Sequence, residues 1–318
     1  MKKAIVTGAT GFIGSSFVEF LCDNGIDVLS LGRKKISELT NHRKKKIEKS
    51  TYLQINMNEI SNLKYKIREI KWSPGDACVF YNLAWGGINQ LSDLSIEAQM
   101  ENVSESVSAL ETANELKCLT FCQIGTMEEA FTYKYMELDY NKDSEYNRHV
   151  IYASSKIAAK YALKANASRL DINFIYVLHS HVMGVDDYKD SFLQVTLKKL
   201  MAKKELIFSS GEQYFDVISV FDCCNGYYLI GKKGKHNSEY WVGSGDPRKL
   251  RNYVERMYNL YPSGEEMQFG KLEYNDVKLS KSDFSIKNLY KDTGYQPKKS
   301  YEQVVVELYD YFKNNELI

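Results

Sequence analysis

Residues 4–14 read Ala-Ile-Val-Thr-Gly-Ala-Thr-Gly-Phe-Ile-Gly, and an amphipathic stretch follows through Cys22. An apolar, β-branched run that stops at a glycine and leads into helix-period sequence is a buried strand, a tight turn and a helix. Gly8, Gly11 and Gly14 are spaced GxxGxxG, one position away from the GxGxxG fingerprint, but the physics is shared. Glycines let the backbone approach a pyrophosphate, and the helix N-terminus offers its amides to the anion. The expected cofactor contacts in this turn are Gly8, Thr10, Gly11, Phe12, Ile13 and Gly14.

The rest of the first half repeats the strand–helix alternation. Apolar runs at Ala4–Val6, Val28–Leu31, Tyr52–Ile55, Ala77–Ala84 and Thr120–Ile124 are separated by helical or polar stretches, including a helix from Ile96 to Leu116 and a lysine-rich connection over Lys34–Lys49. A helix centred on Tyr152–Leu163 precedes another strand-like run ending at Val177. Strands alternating with helices mean βαβ units, and hence a parallel sheet covered on both faces. Beyond residue 175 the alternation loosens, with short strands and a glycine-rich stretch over Gly226–Gly245. The expected division is a sheet domain over 1–175 and a smaller C-terminal cap over 176–318, some of whose segments return to the sheet.

With 318 residues, 44% of them apolar, the chain can bury roughly three quarters of its extended surface and needs no staple. Forty-two basic against 41 acidic residues leave a net charge of +1, so no global field favours nucleic acid. No apolar run approaches the roughly 18–20 residues of a membrane span, and the N-terminus turns glycine-rich before a signal core develops. The six cysteines, at 22, 78, 118, 122, 223 and 224, show no metal-type spacing and read as small hydrophobes. A soluble cytoplasmic protein is expected. Asn102-Val-Ser and Asn166-Ala-Ser match the glycosylation pattern but fall on expected helices and read as chance.

The end of the second strand selects between dinucleotides. NAD sites hold a carboxylate there, whereas NADP sites use arginine. The strand ends Leu29-Ser30-Leu31-Gly32-Arg33-Lys34, and Asp27, about the right distance along the chain for such a carboxylate, lies at its start and points the wrong way along it. Arg33 and Lys34 therefore predict NADP(H) over NAD(H), unless Arg33 is merely a solvated loop charge.

Tyr152 and Lys156 stand one helical turn apart and share a face. A phenol titrates near 10 in water, and a neighbouring ammonium would lower that value. Thr126 follows the run Thr120–Ile124 at the carboxyl edge of the sheet, where open parallel sheets bind ligands. Its hydroxyl could hold a substrate oxygen beside Tyr152. YxxxK alone carries little weight among 24 tyrosines; its place downstream of the glycine turn and Thr126 gives it meaning.

These residues together resemble an extended short-chain dehydrogenase/reductase of the NAD-dependent epimerase/dehydratase family. The likeness rests on Thr7–Gly14, on Tyr81-Asn82-Leu83-Ala84-Trp85-Gly86-Gly87, on Gly125–Glu129, on Tyr152-Ala153-Ser154-Ser155-Lys156 and on Thr293-Gly294-Tyr295-Gln296-Pro297. It implies a Rossmann-type doubly wound parallel sheet with a smaller α/β substrate-binding cap, and a nucleotide-sugar substrate. It also implies hydride exchange at a sugar carbon, with Tyr152 as acid/base, Lys156 as its electrostatic partner and Thr126 as hydroxyl donor. Asn56, Leu83, Ala84, Tyr152, Lys156 and His179 are implied on the cofactor. Trp85, Gly86, Thr126, Met127, Glu128, Tyr152 and His181 are implied on the substrate. No metal is implied. A homodimer through the Tyr152 helix and the helix near Asn102–Leu116 is implied by resemblance only.

Departures from the pattern narrow the chemistry. Sugar 4,6-dehydratases of the family carry Thr-Asp-Glu where this chain has Thr126-Met127-Glu128, and elimination of water lacks its acid. Glu128 reads either as a proton donor or as an exposed charge at a strand end. Gly125–Glu129 looks more like the GSxxE segment of 4-ketoreductases. Leu178, His181 and Phe215 stand where the resemblance expects arginine, asparagine and arginine, so the nucleotide end is unassigned. His179 and His181 read as packing or substrate-bonding residues, and Trp85 as core or as a wall beside nicotinamide and sugar. The leading expectation is an NADP-dependent reductase of a nucleotide-linked 4-keto-6-deoxy sugar. The alternatives are a 4-epimerase with retained cofactor and a non-catalytic NAD(P)-sensing regulator.

Overall fold

The computed structural model describes residues 1–75, 77–87, 95–137, 150–187, 191–274 and 276–315. In chain order the first half runs β1 (Lys3–Thr7), α1 (Phe12–Asp23), β2 (Asp27–Gly32), α2 (Asn41–Ile47), β3 (Thr51–Gln54), α3 (Leu63–Glu69), β4 (Cys78–Asn82), α4 (Ile96–Glu115), β5 (Thr120–Ile124), α5 (Glu128–Tyr135), α6 (Val150–Ala167) and β6 (Asn173–His179). The second half runs β7 (His181–Met183), α7 (Phe192–Met201), β8 (Leu206–Ile207), β9 (Tyr214–Phe215), β10 (Val217–Ser219), α8 (Val220–Lys233), β11 (Ser238–Val242), β12 (Arg248–Lys249), α9 (Leu250–Leu260), β13 (Met267–Gln268), α10 (Lys287–Thr293) and α11 (Tyr301–Asn314).

Seven strands form one sheet in the order β11-β6-β5-β4-β1-β2-β3, and every pairing in it is parallel. Parallel strands covered on both faces read as unbroken apolar runs, which is why Cys78–Asn82 and Thr120–Ile124 are buried at every position. One face packs Phe17 and Leu21 of α1 with Cys223 and Tyr227 of α8 against Val6, Tyr81 and Ile175. The opposite face packs Leu110 of α4 and Leu163 of α6 against Ile5, Phe80 and Phe121. The chain leaves β1 toward β2 and β3, then returns to β4 on its other side. This reversal opens a crevice at the carboxyl ends of β1 and β4, where open α/β sheets take ligands.

A third apolar cluster, built from Leu193, Leu197, Tyr253, Met257, Val305 and Leu308, holds α7, α9 and α11 together. The second half also returns to the sheet, since β11 pairs with β6 at its edge. β6 itself runs through residue 175 to His179. Two readings of the sequence need amendment. The lysine-rich connection contains α2, whose Lys46 is buried because its ammonium donates to the Ser16 hydroxyl at 2.9 Å. The glycine-rich stretch opens with helix α8, in which Gly226 and Gly231 face Val242 and Tyr81 and allow close helix–sheet contact.

Candidate active site

A cavity of about 1250 Å³ fills the crevice between the sheet edge and the cap. Its floor is the glycine turn. Gly8 has φ 67°, the left-handed region that disfavours a side chain. A Cβ on Gly14 would come 2.1 Å from the Gly8 carbonyl oxygen, so only glycine lets α1 start this close to the turn. Gly11 is the N-cap of α1 and supplies no side-chain cap, which leaves the first helical amides for an anion. Gly8, Thr10, Gly11, Phe12, Ile13 and Gly14 all line the cavity. These features fit a dinucleotide pyrophosphate.

The Thr7 hydroxyl sets the neighbouring wall. It donates to Asn82 Oδ1 at 2.6 Å and accepts the amides of Leu83 and Ala84 at 3.1 and 3.0 Å. Asn82 in turn donates to Gln123 Oε1 at 2.8 Å, so β1, β4 and β5 are locked together at their carboxyl ends. Leu83, Ala84, Trp85 and Gly86 line the cavity beyond this lock. Gly86 stays in place because its amide donates to Asn102 Oδ1.

At the end of β2, Arg33 and Asn56 line the cavity. Lys34 does not. It is exposed, and its carbonyl accepts the Tyr52 hydroxyl in the bend that follows β2. Asp27 lies at the far end of the strand, where it holds Trp72 Nε1 at 3.0 Å and Lys3 at 3.0 Å. No carboxylate among the described residues lines the cavity beside Gly32.

Across the cavity, Thr126, Tyr152 and Lys156 converge. Tyr152 is hydrogen-bonded to Thr126, but burial dominates and raises the phenol above its ordinary value. The expected lowering by Lys156 is not what the structure shows. The Lys156 ammonium donates to the Ile124 carbonyl at 2.9 Å and sits 3.9 Å from the centroid of the Trp85 ring. Burial pushes that ammonium down, while the indole face offers it a cation–π contact. The indole Nε1 donates to Gln99 at 2.7 Å, and the ring packs edge-on against Tyr152 at 6.2 Å.

Met127 lines the cavity and is buried in the apolar cluster beneath it. Glu128 is also buried, 8% exposed, in the cavity wall, so the reading as an exposed charge at a strand end fails. Glu128 is the first residue of α5, after a three-residue turn from β5. His179 and His181 both line the cavity, and burial pushes each down to about 4, leaving both neutral at pH 7. His179 Nδ1 lies 2.9 Å from the Ser180 carbonyl, and His181 packs on Phe215 at 5.5 Å.

Sequence reasoning missed several supports. Arg43 of α2 donates to the Thr10 carbonyl at 3.1 Å and pairs with buried Asp186 at 3.3 Å, tying the glycine turn to the chain after β7. Glu129, fully buried, accepts the Thr126 amide at 3.0 Å and the Tyr176 hydroxyl at 2.8 Å. A glutamate following a glutamate at a helix start gives no sign of burial. Cavity residues Glu105, Asp187 and Tyr227 carry no local motif either.

Known proteins place this arrangement. The chain is 25% identical over 325 residues to CDP-abequose synthase of Salmonella typhimurium, covering 96% of this chain and 97% of that protein. UDP-glucose 4-epimerase of Thermotoga maritima, solved with UDP-glucose, superimposes with a TM-score of 0.77 at 17% identity over 99% of each chain. dTDP-glucose 4,6-dehydratase of Bacillus anthracis, solved with NAD, superimposes with a TM-score of 0.75 at 19% identity over 100% and 98% of the two chains. Residues 4–243 match the NAD dependent epimerase/dehydratase family. The chain belongs to that family, as an NAD(P)-dependent, nucleotide-sugar-modifying enzyme of the extended short-chain dehydrogenase/reductase type.

Proposed function

We propose that the protein is an NADP-dependent reductase of a nucleotide-linked 4-keto-6-deoxy sugar. The observation that carries this reading is a neutral Tyr152 phenol beside Thr126, in a site where buried Met127 stands where a dehydratase needs an acid. Reduction of a ketone needs a proton donor at the carbonyl oxygen, and a phenol kept protonated by burial is one. Thr126 holds and polarises that oxygen, Tyr152 gives it a proton, and Lys156 steadies the phenolate left behind. The bound dinucleotide would supply the hydride. Gly8–Gly14 would cradle its pyrophosphate, and Lys156 would bond its ribose.

Arg33, lining the cavity where no described carboxylate does, supports a phosphorylated adenosine ribose and hence NADP(H). The relative named CDP-abequose synthase supports a nucleotide-activated sugar. Trp85, Gly86, Glu128 and His181 would line the sugar subsite, and Asn56, Leu83, Ala84 and His179 the cofactor's. In the same reading the first half holds the cofactor and the catalytic residues, and the cap mainly completes the sugar-nucleotide site. The six free cysteines suit a reducing, cytoplasmic compartment. No described helix is long and apolar enough to cross a membrane. Exposed Ile96 and Met100 on α4 and Tyr161 on α6 support a homodimer through those helices.

The test is cofactor stoichiometry with CDP-, dTDP-, UDP- and GDP-linked 4-keto-6-deoxyhexoses. One NADPH consumed per sugar converted supports the reductase. Turnover without net change at the reduced-nicotinamide band marks the 4-epimerase, and no turnover with retained dinucleotide binding marks the sensing regulator.

A further inference from the structure

Glu129 is the one fully buried carboxylate that touches the catalytic turn among the described residues. Its Oε1 accepts the Thr126 amide at 3.0 Å and lies 2.8 Å from the Tyr176 hydroxyl. The same hydroxyl is 3.2 Å from the Lys156 carbonyl oxygen. Its Oε2 lies 3.7 Å from Lys160 Nζ, which also pairs with Glu239 at 2.9 Å, and accepts no described hydrogen bond. A side chain on Gly125 would come within 2.5 Å of Oε1 and 2.6 Å of the Tyr176 ring. The carboxylate is therefore fitted against bare backbone at the end of β5.

A carboxylate in this position is costly for the fold. Burying it costs several kcal/mol that one 3.7 Å contact with a lysine shared with Glu239 does not repay, and an apolar residue would pack more cheaply. Its contacts instead join the elements that carry Thr126 and Lys156. We propose that Glu129 is a positioning residue: from the first turn of α5 it fixes the preceding Thr126 turn against α6, which carries Lys156. The proposal rests on the reading that Thr126, Tyr152 and Lys156 perform the chemistry.

The charged and titratable groups around Glu129 are Tyr152, Lys156 and Lys160 on α6, Tyr176 on β6, Glu239 on β11 and Tyr133 on α5, which contacts Lys160. His179 is a further titratable group within electrostatic reach of Lys156. Among these, Glu129 is the group that holds the Lys156 ammonium up against its burial. Burial pushes the Glu129 carboxyl up in turn, so removing its charge should lower the Lys156 midpoint over the pH range in which that carboxyl is ionised.

Three variants separate geometry from charge. Glu129→Gln keeps an oxygen for the Thr126 amide and the Tyr176 hydroxyl but removes the charge. Tyr176→Phe keeps the charge and cuts the link to Lys156. Glu129→Leu removes both. The first readout is the Lys156 midpoint in the cofactor-free protein, followed by NMR of isotope-labelled lysine side chains. The expected result is a drop of roughly one pH unit in Glu129→Gln and little change in Tyr176→Phe. The second is steady-state kinetics, with kcat falling roughly 10-fold in Glu129→Gln and Tyr176→Phe and roughly 100-fold in Glu129→Leu. KM for NADPH should move less than about threefold. Should Glu129→Leu not fold, the other two carry the test. A folded Glu129→Gln with an unshifted Lys156 midpoint and wild-type kcat overturns the proposal. Wild-type protein without reductase activity, but with the midpoint shift, overturns instead the reading on which it rests.

Discussion

Replacing Gly14 by alanine tests the fit of the glycine turn to a dinucleotide. The added methyl carbon would lie 2.1 Å from the Gly8 carbonyl oxygen, 2.8 Å from the Gly8 carbonyl carbon and 3.1 Å from the Ala9 Cα. Ordinary contact between such atoms begins near 3.4 Å, so the overlap with the oxygen exceeds an ångström and involves backbone, which cannot rotate away. The Gly8 carbonyl also accepts the Gly11 amide at 3.0 Å, so moving it opens the turn. Overpacking of this kind costs roughly 1–3 kcal/mol, equivalent to roughly 5- to 150-fold in a binding constant. NADPH affinity, measured by fluorescence titration, should fall by a factor in that range, or the unfolding midpoint should drop by the matching free energy. An alanine variant with wild-type affinity and a wild-type midpoint would refute the claim that the turn is shaped by close approach.

Two further outcomes follow from the same cavity. Arg33→Ala should weaken NADPH binding by roughly 10-fold or more and leave NADH binding unchanged, since a charge-assisted bond to phosphate contributes about 1.5–3 kcal/mol; equal effects on both would remove Arg33 as the discriminating residue. His179 and His181 are held neutral, with folded values near 4 against 6.5 when unfolded. The unfolded chain therefore takes up protons first as pH falls. Stability is fully present above pH 6.5 and is lost toward pH 4, at up to about 1.4 kcal/mol per pH unit for each histidine. Urea unfolding at pH 7 and pH 5 should show that loss, and it should shrink in His181→Gln; a pH-independent difference between the two proteins would contradict it.

The central sheet was legible in the sequence because a strand buried on both faces must be apolar throughout, as at Ala4–Val6 and Thr120–Ile124. The glycine turn was legible because its spacing follows from sterics at Gly8 and Gly14. Thr126, Tyr152 and Lys156 could be singled out only by their order along such a sheet. What stayed hidden depends on partners distant in sequence. Helix α2 looked like a solvated connection because Lys46 is buried only through Ser16 and Asp186. Strands β8, β9, β12 and β13 have two residues each, too few to carry a period. Glu129 reveals itself only when Tyr176 and Lys160 close over it. Arg33 lines the cavity and Lys34 does not, a difference that adjacency in sequence cannot express.

The most direct measurement is the reduction rate of Tyr152→Phe, made alongside its NADPH dissociation constant. Loss of the proton donor should slow turnover roughly 10²- to 10⁴-fold and leave coenzyme affinity within a few-fold of wild type. Undiminished turnover in that variant would contradict the assignment of the phenol as the acid, and with it the reductase mechanism.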